Sequence, residues 1–455
     1  MVASRKRQEI ILKPSAENHN ARNGAVLAAP KIIGAARNLD GQALWMSCAL
    51  IFVFSFVLRT SLVLWTGQYR TMEIPEPASV AQSIVQQNVF GNPYRVSTGP
   101  TAHTAPFVPY LLSVVYRLFG IGPRAQLVQA LLSTAACSFQ YALLPVLATC
   151  VGWPARVGTL AGLFGALFPF RFWLETKGTF EHTYAALALL LIAMMTATAW
   201  RSKRFSLWSA IWRGVVWAVA FHISASLLSV CALLFIVEMA KIRTEKFSRR
   251  VMYLATAAGA SLLLLVPWTA RNYIRFGKLF YMRDNLGLEL AVSNRDDASP
   301  LIDQNMRSPL YRHPNGSTVE ALKVRQEGEI AYNQERMREA RRWVQTHPVS
   351  FIRLTLKRIW YFWFPPMQRT WQTAIYGLLT ILGFCGAWIA IRRDQMAIWL
   401  ILPLWVAYPL IYYLIETSVR YRYPIDWSVL VLASYAVTFW WMQEKWPEQE
   451  QLPAS

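Results

Sequence analysis

The chain has 455 residues, of which 55% are hydrophobic and 16% charged, where an ordinary soluble domain carries about 25% charge. That deficit and the repeated long apolar runs exclude a soluble globular enzyme and predict a polytopic membrane protein. The net charge of +21 comes with no nucleic-acid motif, and a basic bias on cytoplasmic loops and attraction to anionic lipid account for it instead.

Residues 1–42 carry seven basic side chains (Arg5, Lys6, Arg7, Lys13, Arg22, Lys31, Arg37) and no apolar signal-peptide core. They read as a disordered cytoplasmic tail. The first candidate span is 43–65, and the basic tail before it points its far end outward. "EIPEPASVAQSI" (73–84) then lies on the outer face. Pro77 suits the first turn of a helix, where its missing N–H costs nothing, and the positive end of that helix favours a carboxylate. Glu76 therefore either caps the helix or is a general base held rigidly at the interface. Glu73 is the alternative base, or its like-charge neighbour. "GNPYRVSTGPTAHTAPF" (91–107) is a turn-rich loop that offers Thr101 and His103 as substrate contacts.

Residues 105–120 are short, begin with prolines and carry Arg117, so they read as a helix along the interface. Spans at 125–150, 157–172 and 183–200 follow, with Arg156 in a cytoplasmic turn. "RFWLETKGTFEH" (171–182) is a second outer loop carrying Glu175 and Glu181. The basic flanks "WRSKR" and "KIRTEKFSRR" both belong inside, which folds 206–240 into a helical hairpin. Residues 251–268 exit at "PWTARN" and place Arg271 outside. The polar segment 269–350 adds Arg283 and Glu289, and 317–348 reads as one exposed helix. Residues 347–366 are amphipathic and aromatic, an interfacial helix. Spans at 370–391, 396–415 and 425–442 bring the total to ten. "RYRYP" (420–424) lies outside with Arg420 and Arg422. Both termini, including the tail 443–455, are placed in the cytoplasm.

The polar matter thus gathers on one face. Arg271, Arg283, Arg420 and Arg422 either snorkel at span ends or clamp a lipid phosphate, and their outer position runs against the usual inside bias. The spans are almost free of acids, which favours an enzyme over a transporter or flippase. The five cysteines form no CxxC pair, so neither a disulfide framework nor a zinc site is expected. HExxH, GxGxxG and GxxxxGK[ST] are absent.

Together "EPASVAQSI", "GNPYRVSTGPTAHTAPFVPYLLSVVYRLFG", "PWTARNYIRFGKLFYMRDNLGLELAVSN", "HPVSFIRLTLKRIWYFW" and "RYRYP" resemble the multi-spanning glycosyltransferases of the GT-C fold. The resemblance is to the superfamily of protein O-mannosyltransferases and aminoarabinose transferases and covers about 43–442. It implies an all-α bundle of about ten transmembrane helices, with interfacial helices and an outer-face region at 269–366. It also implies sugar transfer from a polyprenyl-phosphate-linked donor to a lipid, glycan or protein acceptor outside the cell (inner) membrane. The only other partners implied are membrane lipids, and nucleic acid is not one. Attack from the opposite face of the sugar would invert the anomeric centre. In such enzymes an acid in the first outer loop, commonly Asp, acts as base or binds the acceptor. Here the position holds Glu, and Glu76 fits the register better than Glu73. By the same resemblance Glu175 or Glu181 supplies a second acid, and Arg271, Arg420 and Arg422 engage the carrier phosphate. No DxD pair occurs, so a divalent metal is possible but not required by the residues, and no other cofactor is implied. The competing readings are a transporter or flippase of lipid-linked saccharide, a glycan polymerase or ligase, and a non-catalytic homologue lacking the usual Asp.

Overall fold

The computed structural model describes residues 19–71, 74–167, 172–202, 206–241 and 246–441. By internal contacts residues 1–47 form one unit and 48–455 another, and α2 to α20 all belong to the second. Twenty α-helices occur among the described residues. In chain order they are α1 (His19–Thr66), α2 (Glu76–Gln87), α3 (Phe107–Phe119), α4 (Pro123–Ala142), α5 (Leu144–Cys150), α6 (Ala155–Leu167) and α7 (Phe172–Lys177). Next come α8 (His182–Ser202), α9 (Leu207–Ile223), α10 (Leu227–Lys241) and α11 (Phe247–Phe276). The polar segment holds α12 (Leu286–Ser293), α13 (Ile302–Asn305), α14 (Thr318–Glu327), α15 (Glu329–Thr346) and α16 (Pro348–Trp363). The chain closes with α17 (Thr370–Arg392), α18 (Met396–Ala407), α19 (Leu410–Leu414) and α20 (Val419–Trp441). Extended pairing among the described residues is limited to two isolated bridges, Gly91 with Pro100 and Leu301 with Thr417.

The architecture is the all-α polytopic membrane bundle that the sequence predicts. Among the described residues six segments are long and apolar enough to cross a bilayer: Gly41–Thr66, Pro123–Cys150, His182–Arg201, Phe247–Phe276, Thr370–Arg392 and Met396–Leu414. The other four of the ten expected spans correspond to α6, α9, α10 and α20. The first three are short apolar helices, and α20 carries Arg420, Arg422 and Asp426. The hairpin at 206–240 is formed by α9 and α10 and turns at Ser224–Ser226.

Several boundaries differ from expectation. "PWTARN" is not a loop: α11 runs on to Phe276 with Pro267 inside it. "RYRYP" is also helical, because α20 already begins at Val419. The loop expected at 171–182 contains α7. The single helix expected over 317–348 is broken at Gly328, whose φ of +83° is left-handed and suits glycine. That break puts Glu329 at the N-terminus of α15. At Gly287 the crossing of α12 and α15 is so close that a Cβ would lie 2.0 Å from the Asn333 carbonyl oxygen.

Buried ion pairs lie inside the bundle. Arg213 of α9 meets Glu238 of α10 at 2.6 Å, so the hairpin holds an acid after all. Arg59 and Glu175 lie 2.8 Å apart with fully buried side chains. Tyr141 donates to Glu175 at 2.6 Å, and Arg59 donates to the carbonyls of Gly165 and Ala166. Removing one partner of such a pair strands a charge at low dielectric, a loss of about 3–5 kcal/mol. Glu175→Leu is therefore expected to lower the unfolding temperature of the purified protein sharply. The double variant Arg59→Met/Glu175→Leu should recover most of the loss.

Candidate active site

Pro75 is extended and leads into α2, so Glu76 is the first helical residue, beside the free N–H groups of the first turn. Glu73 lies outside the described residues. After α2 the chain turns at Asn88 and Asn92, both at positive φ. The Asn92 side chain accepts from the Gly99 N–H at 2.8 Å and the Ser97 hydroxyl at 3.0 Å, which closes the loop on itself.

Three other elements then fix the loop's far end. Arg271 donates to the carbonyls of Thr101 (2.8 Å) and Phe90 (2.9 Å), with its guanidinium over the rings of Phe90 and Trp268. Arg283 donates to the His103 carbonyl at 2.7 Å. Glu329, buried at the head of α15, accepts from the Ala102 N–H at 2.6 Å and from the Thr101 hydroxyl. Burial pushes the Glu329 carboxyl up to about 7, and the charge of Asp284 adds to it against the two hydrogen bonds and Arg271.

The loop presents His103 to a cavity of about 1090 Å³. Around it stand Glu76, Glu181, Glu289 and Glu416, the guanidiniums of Arg95, Arg283 and Arg420, the rings of Tyr311, Tyr421 and Phe180, and His313. Arg420 stacks on Phe180 with its charge centre 3.8 Å from the ring centroid, in the field of Glu181 and Glu76. Burial, then the charge of Arg283, holds the His103 imidazole well below its usual value, so it is neutral at physiological pH. Glu416 is 1% exposed and accepts from Asn305 (2.7 Å) and Tyr311 (3.0 Å). Burial and the neighbouring Glu289 charge push it up to about 7.

Of the residues expected at the site, Glu76, His103, Glu181, Arg283, Glu289 and Arg420 line this one cavity. Thr101 does not. Its hydroxyl is spent on Glu329, so it shapes the loop. Arg271 is likewise engaged in gripping that loop. Arg422 turns into the bundle, 2.7 Å from Asp426 and donating to the Trp363 carbonyl. Glu175 is locked in its ion pair with Arg59. The loss of these four from the expected set has one cause: each has nearer partners inside the fold. Sequence reasoning missed His313, Glu416 and Arg95. Only their membership of polar segments pointed to them.

The donors that could hold a metal are Glu76, His103 and His313, which offer one ligand atom each within 4.8 Å of one another. His313 Nδ1, however, accepts the Asn315 backbone N–H at 3.1 Å, which puts the proton of the neutral ring on Nε2 and leaves no lone pair free. Glu76 and His103 alone are fewer ligands than a protein zinc site uses, and Arg283 adds positive charge beside them. The cluster does not fit a resident zinc ion and reads as a hydrogen-bonding constellation.

A second, apolar cavity of about 900 Å³ lies among α9, α10 and α11, walled by Trp217, Phe221, Phe235, Leu262, Leu265 and Tyr281. It shares Leu228 and Ala232 with the first.

No family model matches the sequence, and no curated protein matches it either. Among solved structures the chain is similar to the oligosaccharyltransferase of Archaeoglobus fulgidus in its apo form, with 15% identity and a TM-score of 0.53 over 87% of this chain and 50% of that one. It is also similar to the oligosaccharyltransferase AglB of that organism in complex with an inhibitory peptide and a dolichol-phosphate, with 14% identity and a TM-score of 0.50 over 86% and 50%. A complex of the same organism's enzyme with zinc and sulfate matches at 14% identity and a TM-score of 0.50, over 86% of this chain and 49% of the other. The present chain thus spans about half the length of those proteins. The likeness shows the GT-C fold.

Proposed function

We propose that this GT-C-fold chain transfers a saccharide from a lipid-phosphate-linked donor to an acceptor hydroxyl on the extracytoplasmic side of a cell membrane. The observation that carries the reading is the gathering of Glu76, Arg283 and Arg420 around one cavity that shares part of its wall with an apolar one. A polyprenyl tail fits the apolar cavity, and its phosphate would then lie at the shared wall, near the guanidiniums. The archaeal neighbour that holds a dolichol-phosphate supports a carrier of this class.

In the proposed step Glu76 takes the proton of the acceptor hydroxyl as that oxygen bonds to the anomeric carbon. The bond from that carbon to the carrier phosphate oxygen breaks, and the phosphate leaves with the electron pair. Arg420 and Arg283 meet the charge that develops on it, in surroundings of low dielectric where fixed charges act strongly. Neutral His103, with His313 beside it, orients the hydroxyl at Glu76. Attack opposite the leaving phosphate inverts the anomeric centre.

The test is a mass-spectrometric comparison of envelope glycans, lipids and glycoproteins with and without this protein. A saccharide missing in its absence and restored by the wild-type gene is the expected result. Unchanged glycans with lipid-linked saccharide accumulating on the cytoplasmic leaflet would overturn it in favour of transport.

A further inference from the structure

Apart from these two cavities, a hollow of about 270 Å³ opens in the polar segment, between α12, residues 310–312 and α15. That is a little below the usual size of ligand pockets, about 300–1,000 Å³, and suits a single small unit. Three guanidiniums line it: Arg295, Arg312 and Arg336. Arg295 is fixed by Asp297 at 2.7 Å and stacks on Tyr311. Arg336 is 4% exposed, lies over the Tyr332 ring and pairs with Glu339 at 2.9 Å and Glu335 at 3.9 Å. Its Nε has no partner among the described residues. A buried donor left unpaired is costly, so such groups normally meet a partner. Arg312 is exposed, and its guanidinium is unpaired among the described residues. The opposite wall is Trp343, whose indole N–H donates to Asp296 at 2.7 Å.

Cationic side chains beside an aromatic wall, with the carboxylates of Asp296 and Glu339 as acceptors, are what a sugar ring with an acidic substituent needs. We propose that this hollow is a subsite for one acidic saccharide unit of the acceptor, held through its carboxylate by Arg312 and Arg336 and through its hydroxyls by the acceptor side chains. The assignment to the acceptor rests on the proposed saccharide transfer. Its geometry supports that assignment, because Tyr311 borders the catalytic cavity on one side and packs against Arg295 of the hollow on the other. The hollow shares no residue with the apolar cavity, so a donor tail does not compete for it.

The experiment uses the full chain in nanodiscs of neutral lipid, with galacturonic acid as probe and glucose and inorganic phosphate as controls, read by ligand-observed NMR titration. Galacturonic acid is expected to bind more tightly than glucose, and its affinity to fall about tenfold or more in Arg312→Glu, the size of one charge-assisted contact. Arg312→Lys should retain most of the binding. Arg312 is exposed, so its variants fold, and Arg336→Gln is the second variant. Glucose binding as well as galacturonic acid would overturn the proposal. So would phosphate binding without galacturonic acid, which marks a bare anion site, or binding unchanged in Arg312→Glu. The same titration on Glu76→Gln separates the two readings. Loss of transfer there leaves probe binding intact, whereas a failed subsite leaves the transfer chemistry untouched.

Discussion

Glu76→Gln is expected to lower the transfer rate about 10²–10⁴-fold while leaving donor binding close to wild type, because it removes the base and keeps the shape. Glu76 is fixed by the first turn of α2, with Pro75 before it and Pro77 after it, so its carboxylate is aimed at the cavity by a rigid element. Two imidazoles lie close to it, and burial and Arg283 hold that of His103 neutral. The assay is single-turnover transfer in nanodiscs, using the lipid-linked donor and the acceptor identified by mass spectrometry, with donor affinity measured separately. Glu76→Asp should regain part of the rate, since the acid remains on a shorter reach. Wild-type turnover in the Gln variant would move the base elsewhere, with Glu73 next to be tested.

The second large effect concerns Glu329 and has a defined sign. Its carboxyl titrates near 7 in the folded protein, against 4.5 for the free group. Between those values the folded chain holds a proton that the unfolded chain has released, so stability is greatest below about pH 4.5 and falls as pH rises through 7. For this buried group the full fall is about 3 kcal/mol. Glutamine copies the neutral acid: its carbonyl accepts from the Ala102 N–H and its amide donates to the Thr101 hydroxyl. Glu329→Gln is therefore expected to match wild type near pH 5 and to exceed it at pH 8 by several degrees in unfolding temperature. Glu416 keeps part of the slope in both proteins, since its carboxyl is raised likewise. Identical stability–pH curves for the two proteins would show that Glu329 is not the titrating group.

The apolar runs carried the bundle, because a bilayer demands long helices whatever else the chain does. The α9–α10 hairpin followed from basic flanks alone. The loop around His103 was legible from its Gly, Pro, Ser and Thr content, as was the carboxylate opening α2. Arginine roles were less legible. Arg420 and Arg422 are two residues apart, yet one lines the cavity and the other pairs with Asp426. Identity shows that a guanidinium needs partners, and only the fold shows which it has. His313 and Glu416 reach the cavity through segments far apart in sequence, with no local pattern to mark them. The break at Gly328 was hidden because glycine inside a charged helical run is compatible with either outcome.

The reach of α11 couples two regions. Leu262, Leu265, Val266 and Thr269 wall the apolar cavity, and Arg271, two positions on, grips the backbone just before His103. One rod thus borders the greasy compartment and, within its next turn, holds the Thr101 carbonyl two residues ahead of the imidazole, so the floor of the tail's chamber and the anchor of the histidine loop are built from neighbouring residues.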